Sequence, residues 1–325
     1  MLTLSKIAKL AHVSVSTVSK AFMGSNEVNE QTRNEIFDIA KQNNCFKKYY
    51  NVKYPKYVIA VIAPEFHSRL YSTYLTTLQA ELTSNNCELC VASTNFSLQT
   101  EADLLDYYTK YTNVDGIICV SHRTDLKTEI KIPIATISGK ANPGIINVGN
   151  NIDIILDDIV KFFKDLGIKN IGFIGEALTN STFDRYKSSM KKNHLDINDN
   201  FISISDKRFE EGGYQAAEEF FKRGSLPEAI IAAYDNIALG AMRCITEHGL
   251  KIPDDIAIIG LNDNSESAYA NPPLSSVNFS VEETCRVAVR ELLNKINGNP
   301  VIYDNTVDYS IILRKSTDIP GANTK

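Results

Sequence analysis

Apolar residues in the first 46 positions recur at the three- and four-residue spacing of short amphipathic helices. This spacing predicts three helices, over about residues 4–11, 15–22 and 30–43. Thr3, Ser14 and Asn29 stand just before them, where a side-chain oxygen can accept a hydrogen bond from a free backbone N–H group. The turn between the first two helices falls at His12 and Val13. Three short helices on one small core are typical of a helix-turn-helix domain, although other three-helix bundles share the spacing.

After residue 57, continuous apolar runs alternate with amphipathic stretches, which predicts strands and helices in alternation. Strands are predicted over residues 58–63, 88–93, 116–120, 134–137, 170–174, 201–205, 229–233, 256–261 and 310–313. Helices are predicted near residues 71–86, 100–111, 152–167, 183–194, 210–224, 236–248 and 280–297. Apolar strands separated by helices indicate parallel sheets covered on both faces, hence an α/β fold. Because the order of elements is similar before and after about residue 150, we expect two Rossmann-like lobes with a ligand cleft between them.

Composition and charge narrow the class of protein. The 325 residues have an ordinary globular composition, and the longest apolar run, near residues 57–63, is too short to span a bilayer. The first residues lack the charged-then-apolar order of a signal peptide, so we expect a cytoplasmic protein without membrane contact. Net charge is −5, yet residues 1–57 carry nine Lys or Arg against four acids, which leaves −10 for the remainder. This asymmetry suggests that a polyanion binds the basic N-terminal segment, although a merely solvated basic face would look the same.

The second predicted helix has the surface that a DNA-binding helix needs. Val18 and Phe22, four residues apart, can face inward. The residues that can face outward are Val15, Ser16, Ser19 and Lys20. Small hydroxyl side chains and one lysine leave the helix slim enough to enter a major groove, where its polar tips can reach base edges.

Three segments extend this pattern: TLSKIA at residues 3–8, AHVSVSTVSK at 11–20 and NEQTR at 29–33. Together they resemble the helix-turn-helix of the LacI–GalR family of bacterial repressors. The resemblance implies that Val15, Ser16 and Lys20 contact bases. It implies phosphate contacts or helix caps for a larger set: Thr3, Ser14, Thr17, Ser19, Asn29, Thr32 and Arg33.

Three positions depart from the family motif. His12 stands where the family usually has a turn glycine, so a histidine must adopt the left-handed conformation at some cost. Lys20 replaces the usual arginine and keeps the charge, but it lacks the bidentate fork that binds guanine. Met23 replaces the usual asparagine.

The segment CFKKYYNVKYPKY, residues 45–57, differs from the family's hinge helix. It lacks the alanine and leucine of that helix, and Pro55 stands where a helix could not continue. Two interpretations stay open: an extended tether, or a Lys/Tyr segment that lies along phosphates or in the minor groove. Under either interpretation, the segment has no leucine to insert into the minor groove as the family's hinge helix does.

The later chain is similar to the family's body, which itself resembles periplasmic sugar-binding proteins. The similar segments are VDGII at 114–118, NIGFIG at 170–175, YDNIALGAM at 234–242 and NPPLSSV at 271–277. We therefore expect a helix-turn-helix domain (1–46), a linker or atypical hinge (47–57) and an effector-binding and dimerisation domain (58–325). One lobe would comprise about residues 58–149 and 279–306, and the other about 150–278 and 307–320.

The effector residues that this resemblance and the strand ends suggest are Phe66, Tyr71, Arg185, Tyr234, Asp235 and Asn262. Phe66 and Tyr71 would give an apolar wall against a sugar ring, and Arg185 matches the family's effector-binding arginine. Two of these residues have simpler interpretations as well, Arg185 as a surface ion pair and Asp235 as a helix cap.

The sequence contains no catalytic constellation and no metal-ligand spacing, and its six cysteines suggest reduced buried thiols. We expect no enzyme activity, metal or cofactor. The resemblance implies a transcriptional regulator, in the first place a repressor, that binds a double-stranded operator as a homodimer and responds to a sugar-like effector. The alternatives are a nucleobase or phosphorylated effector, favoured if a second basic residue lies beside Arg185, and a sugar-binding protein whose N-terminal domain does not bind DNA.

Overall fold

A computed structural model describes residues 2–43, 45–49, 56–121, 123–124, 132–139 and 142–319, without the side chains of Lys47 and Lys48. The chain divides into two compact units, Met1–Tyr57 and Val58–Lys325. We call residues 2–49 of the first unit the head and the second unit the body, and each is described by itself. Within the described residues, no helix has the length and apolar character needed to cross a membrane.

The head consists of helices α1 (Leu4–Leu10), α2 (Val15–Phe22), α3 (Glu30–Gln42) and α4 (Phe46–Tyr49). Thr3, Ser14 and Asn29 each accept a hydrogen bond from the backbone N–H three residues further on, at 3.3, 3.0 and 2.8 Å. His12 adopts a left-handed conformation with φ 52° in the turn between α1 and α2. The three predicted helices and their caps are therefore confirmed.

Helix α4 changes the prediction for the link that follows α3. Its Phe46 and Tyr49 rings lie 6.0 and 5.8 Å from the buried Phe22 ring, and Tyr49 Oη donates a hydrogen bond to Leu2 O at 2.8 Å. An extended tether is thus wrong for residues 46–49, because these two rings add to the aromatic core around Phe22. The expected boundary after residue 46 falls inside this helical turn, and residues 50–55 of the predicted linker lie outside the described residues.

The body alternates strands and helices. Its strands are β1 (Tyr57–Ala63), β2 (Cys87–Ser93), β3 (Gly116–Val120), β4 (Ile134–Ile137), β5 (Ile146–Gly149), β6 (Ile171–Glu176), β7 (Ile202–Ser205), β8 (Ala229–Ala232), β9 (Ala257–Ile259), β10 (Ser276–Asn278), β11 (Asp304–Thr306) and β12 (Ser310–Ile312). Its helices are α5 (Arg69–Ser84), α6 (Leu98–Tyr111), α7 (Ile152–Asp165), α8 (Asn180–Lys192), α9 (Phe209–Arg223), α10 (Asp235–Glu247) and α11 (Val281–Ile296).

Two sheets define two lobes. The first sheet has the order β11-β5-β4-β3-β1-β2 and the second the order β7-β6-β8-β9. The pairs β1–β3, β3–β4 and β4–β5 are parallel, as are β6–β7, β6–β8 and β8–β9. Every residue of β3, β4, β6 and β8 is buried, since helices cover both faces. The predicted α/β fold with parallel sheets is confirmed.

The chain passes between the lobes three times, so each lobe is built from separate stretches of sequence. Helix α11 packs against α5 and the first sheet, and β11 pairs with β5 of that sheet. Strand β12 instead pairs antiparallel with β10, whose Val277 belongs to the core of the second lobe. The passages lie after β5, before α11 and between β11 and β12.

Glycine allows α9 and α10 to approach each other closely. A methyl group on Gly213 would lie 1.9 Å from the carbonyl oxygen of Ile237, and one on Gly240 would lie 1.9 Å from that of Glu210. No side chain fits at such distances, so the contact requires glycine on both helices.

Candidate functional site

The outer face of α2 is exposed while its inner face fills the head core. Val18 and Phe22 are buried, whereas Val15 is 47% exposed and Ser16 is exposed beside it. The Ser14 and Thr17 hydroxyls lie 2.8 Å apart, and the Ser14 oxygen also caps the helix. The face that the sequence assigns to DNA is therefore open to solvent, and its first turn is held by local hydrogen bonds.

The loop between α2 and α3 contributes a residue that the sequence did not suggest. Glu27 in this loop forms an ion pair with Lys20 on α2, and both side chains are solvent-exposed. Arg33 fixes the loop, because one terminal nitrogen donates to Ser25 O at 2.7 Å and to Val28 O at 3.1 Å. Arg33 was expected among residues that hold phosphates or caps, and the structure places its guanidinium on the protein's own backbone.

A cleft between the two lobes of the body contains two connected compartments. The inner compartment has a volume of about 210 Å³ and the outer one about 540 Å³. Both are lined by Leu70, Arg123, Ile152, Ser181, Thr182 and Phe279. The inner compartment also has aromatic walls, formed by Tyr71, Phe96, Phe209 and Tyr234. This position, at strand ends that face each other, is where ligands bind in paired open α/β sheets.

Arg208 joins the two lobes across the inner compartment. Its terminal nitrogens donate to both carboxylate oxygens of Glu65 at 2.9 and 2.8 Å, and its Nε donates to Glu176 at 3.1 Å. Glu65 follows β1 of the first lobe, Glu176 ends β6 of the second, and Arg208 immediately precedes α9. The three residues, named here the Arg208 cluster, thus hold a bidentate ion pair between the lobes.

Two opposing effects act on the Glu65 carboxylate, its burial and the neighbouring Arg208. Burial alone would raise the pKa of Glu65, but the hydrogen bonds and charge of Arg208 outweigh it and hold that pKa below its usual value. The Arg208 guanidinium also lies 5.3 Å from the Phe96 ring centre and 4.5 Å from that of Phe209. The cluster therefore combines charged groups with two aromatic rings beside the guanidinium.

The backbone around the cluster is strained. Phe209 adopts φ 58° and Asn262 φ 101°, both in the left-handed region that favours glycine. The backbone N–H of Phe209 donates to Tyr234 Oη at 3.1 Å, and that hydroxyl donates to Glu176 at 2.8 Å. Such non-glycine outliers persist where the surroundings fix them, and they are concentrated at functional sites.

The structure brings together some of the predicted effector residues. Tyr71, Tyr234 and Asn262 line the inner compartment. Arg185 lines the outer compartment and forms an ion pair with Asp153. Arg185 thus forms the surface ion pair while it also lines the cleft.

Two predicted effector residues lie elsewhere. Phe66 is 46% exposed and is absent from the described lining of both compartments. Asp235 is fully buried at the start of α10, where it accepts hydrogen bonds from Asn264 N at 2.6 Å and Ser276 Oγ at 2.5 Å. Its carboxyl group is part of the interior of the second lobe, so the simpler interpretation of Asp235 as a structural residue fits the geometry and placement in the cleft was wrong.

Four residues that the sequence did not suggest line the cleft: Glu65, Arg123, Glu176 and Arg208. A signal was present for two of them, because Glu65 and Glu176 stand at the carboxyl ends of apolar strands, where ligand-binding side chains collect. Arg208 is separated from Glu65 by 143 positions, and no local pattern could connect them.

A helix-turn-helix head attached to a two-lobed α/β body with a polar, aromatic-walled cleft defines the class of ligand-responsive DNA-binding regulators. Comparison with known proteins agrees. Residues 3–45 match the model for bacterial regulatory proteins of the lacI family, and residues 160–317 match a periplasmic binding protein-like domain.

The chain is 30% identical to the HTH-type transcriptional regulator GalR of Streptococcus thermophilus over 314 residues, which cover 91% of this chain and 92% of that one. The lac repressor dimer bound to operator and the anti-inducer ONPF superposes with a TM-score of 0.72 at 19% identity, covering 97% and 99% of the two chains. The CelR–cellobiose complex gives a TM-score of 0.68 at 22% identity, with coverage of 97% and 100%.

The chain belongs to the lacI family of bacterial regulatory proteins. It is a DNA-binding transcriptional regulator with an effector-binding domain, and the expectation that it is not an enzyme agrees with its relatives.

Proposed function

We propose that this protein is a repressor whose affinity for its operator is switched by a small sugar-like effector bound in the interlobe cleft. The Arg208 cluster between aromatic rings carries the proposal, because sugar rings stack on aromatic side chains and their hydroxyls bind charged planar groups. One N–H group on each terminal nitrogen of Arg208 has no partner within the cluster, so the guanidinium can donate further hydrogen bonds.

The effector would act on the angle between the lobes. Glu65 belongs to the first lobe and Arg208 to the second, so a ligand that inserts its hydroxyls among them changes the interaction that holds the lobes together. A ligand shifts such an equilibrium only by its difference in affinity for the two arrangements. Whether it releases the operator or promotes its binding depends on which arrangement it prefers.

On the DNA side, we propose that Val15, Ser16 and Lys20 contact bases while the caps at Thr3, Ser14 and Asn29 orient their helices on phosphates. The exposure of α2 supports this role. A homodimer would present two heads to a pseudo-palindromic operator, as the dimeric lac repressor relative suggests. A partner that is chromosomal DNA also supports the expected cytoplasmic location.

A thermal-shift screen of neutral hexoses and disaccharides tests the effector site, because a ligand that binds only the folded state raises the melting temperature. Arg208→Gln should weaken the apparent affinity for any ligand found in the screen at least tenfold, and the thermal shift that this ligand produces should decrease accordingly. Arg243→Gln is the matched control, since Arg243 pairs with Glu247 within α10 and is absent from the described lining of both compartments. Equal shifts in both variants would refute the cleft as the effector site.

One observation favours a second candidate, an effector that carries a carboxylate or phosphate. Arg123 lines both compartments and has no ion-pair partner among the described side chains, and it shares the outer compartment with Arg185. Asp153 and Asp304 line that compartment too, which limits its net positive charge. Comparing glucose with glucose 6-phosphate and glucuronate separates the two candidates, and Arg123→Gln should abolish any preference for the anions.

Gel-shift titrations on DNA upstream of neighbouring genes test the DNA-binding role. The logarithm of the affinity should fall linearly with the logarithm of the salt concentration, because phosphate contacts release counterions. Replacing Ser16 and Lys20 together by alanine should weaken specific binding by roughly 1–3 kcal/mol. An unchanged operator preference in this variant would refute the assignment of base contacts to α2.

A further inference from the structure

The Lys20–Glu27 ion pair lies on the face of the head that is proposed to meet DNA. The two side chains are 45% and 70% exposed, so neither is committed to the protein interior. Lys20 is in the last turn of α2, while Glu27 is in the following loop, seven positions further on. An ammonium group and a carboxylate are therefore presented side by side to whatever binds this face.

The pairing leaves hydrogen-bonding capacity on both partners. Lys20 Nζ uses one of its three donors on Glu27 Oε2, and the carboxylate keeps lone pairs on both oxygens. The result is a compact site with one type of group that only donates and another that only accepts.

One base pair has the complementary arrangement in the major groove. Guanine presents two acceptors, N7 and O6, and its cytosine partner presents the N4 amine as a donor next to O6. An A·T pair places its donor between two acceptors, and a C·G pair reverses the order. G·C and A·T pairs both place an acceptor beside a donor, but only G·C offers the ammonium group two neighbouring acceptors on one side of the amine that the carboxylate binds. A lysine with free donors in contact with a carboxylate thus matches a G·C pair in one orientation best.

We propose that Lys20 and Glu27 together recognise one G·C pair in each operator half-site, with Lys20 donating to guanine O6 or N7 and Glu27 accepting from cytosine N4. This inference rests on the proposed DNA-binding role of α2. It assigns to Glu27 a part in specificity that compensates for the bidentate fork an arginine would have at position 20.

The loop geometry supports a recognition role for Glu27. Arg33 donates to the carbonyl groups of Ser25 and Val28, on either side of Glu27, so the carboxylate extends from a fixed segment of backbone. Fixing a contact residue before binding lowers the entropy lost in the complex. A carboxylate near phosphates also weakens binding to DNA in general, which increases discrimination against sites that lack the matching cytosine.

Selection of binding sites from a randomised library identifies the operator, and competition titrations then measure the preference at each position. The wild-type protein should prefer G·C at one position of each half-site by about tenfold over the other three pairs. Glu27→Ala should lose most of that preference while binding non-specific DNA equally well or more tightly. Glu35→Ala removes the same charge from an exposed position of α3 that has no ion pair among the described contacts, and it should keep the preference.

Lys20→Ala and the double variant Lys20→Ala/Glu27→Ala complete the test. If the two residues act on one base pair, the double variant should lose no more preference at that position than the more affected single variant. Unchanged G·C preference in Glu27→Ala, with uniformly tighter binding to all sequences, would overturn the proposal and leave Glu27 as a residue that only restrains Lys20. If neither the wild type nor any variant binds DNA in a salt-dependent way, the proposed DNA-binding function fails instead. Failure of the G·C proposal is therefore distinguishable from failure of the proposed function.

Discussion

Removing the arginine of the Arg208 cluster should destabilise the body far more than removing an exposed arginine nearby. In Arg208→Gln, the Glu65 and Glu176 side chains, 8% and 4% exposed, lose the cation that compensates both. A buried ion pair that loses one partner typically costs about 3–5 kcal/mol, because a charge is left in a medium of low polarity. Arg208 itself is 30% exposed, so water partly replaces it, and we expect a loss of about 3 kcal/mol.

Arg185→Gln is the control, because it removes an arginine from an exposed ion pair. Arg185 and its partner Asp153 are 38% and 60% exposed, and exposed pairs contribute only about 0–1 kcal/mol. A third variant, in which Arg208, Glu65 and Glu176 all become glutamine, removes the uncompensated charges along with the arginine. It should recover most of the stability that the single substitution loses.

The measurement is urea unfolding of the full chain followed by far-UV circular dichroism, fitted over the transition of the larger unit. The chain contains no tryptophan, so a fluorescence assay would depend on its 15 tyrosines. A loss in Arg208→Gln no greater than that in Arg185→Gln would refute the reasoning. Failure of the triple variant to recover would show that the arginine acts through packing on Phe96 and Phe209 rather than through charge.

Three further predictions concern the core. Burial raises the pKa of Asp235 from 3.8 to about 7. The folded chain therefore keeps a proton that the unfolded chain has lost, and stability from this group falls as pH rises from about 4 to 7. Relative to Asp235→Asn, wild-type unfolding free energy should drop by about 2–3 kcal/mol between pH 5 and 8, and parallel profiles would contradict this. Gly213→Ala should cost about 3 kcal/mol in urea unfolding, because its methyl group would meet Ile237 O; a loss below 1 kcal/mol would show that α9 and α10 can separate. Native protein treated with Ellman's reagent at pH 8 should react first at Cys90, which alone among the six cysteines is not fully buried; equally fast reaction at Cys119 would contradict its burial.

Local hydrogen bonds explain why the head was predictable. Ser14 caps α2 through a contact three residues away, and His12 forms the turn with its own backbone, so a short stretch of sequence contains both partners. The long apolar strands of the body were predictable for a similar reason, since burial on both faces requires a continuous apolar run. These features fix the fold class without knowledge of distant contacts.

Other features depend on contacts that sequence order conceals. Strand β11 consists of Asp304, Asn305 and Thr306, which have no apolar pattern, and only pairing with β5 makes them a strand. The Arg208 cluster joins residues that lie far apart in the sequence and in two lobes. In the sequence alone, each of its members therefore has the pattern of an ordinary surface charge. Helix α4 is a single turn before Pro55, so the helix break that proline indicates leaves room for it, and Phe46 and Tyr49 have the three-residue spacing of one helical face.

The hydrogen bond from Tyr49 Oη to Leu2 O brings the two ends of the head next to each other. A folded unit whose ends meet can be transplanted between proteins as a cassette, because the graft disturbs no path through its interior. A chimeric regulator built from this protein should therefore be joined after Tyr49, since a junction after Cys45 would discard two of the rings around Phe22. The same proximity means that a purification tag on the amino terminus would lie close to Tyr49, the last described residue of the head.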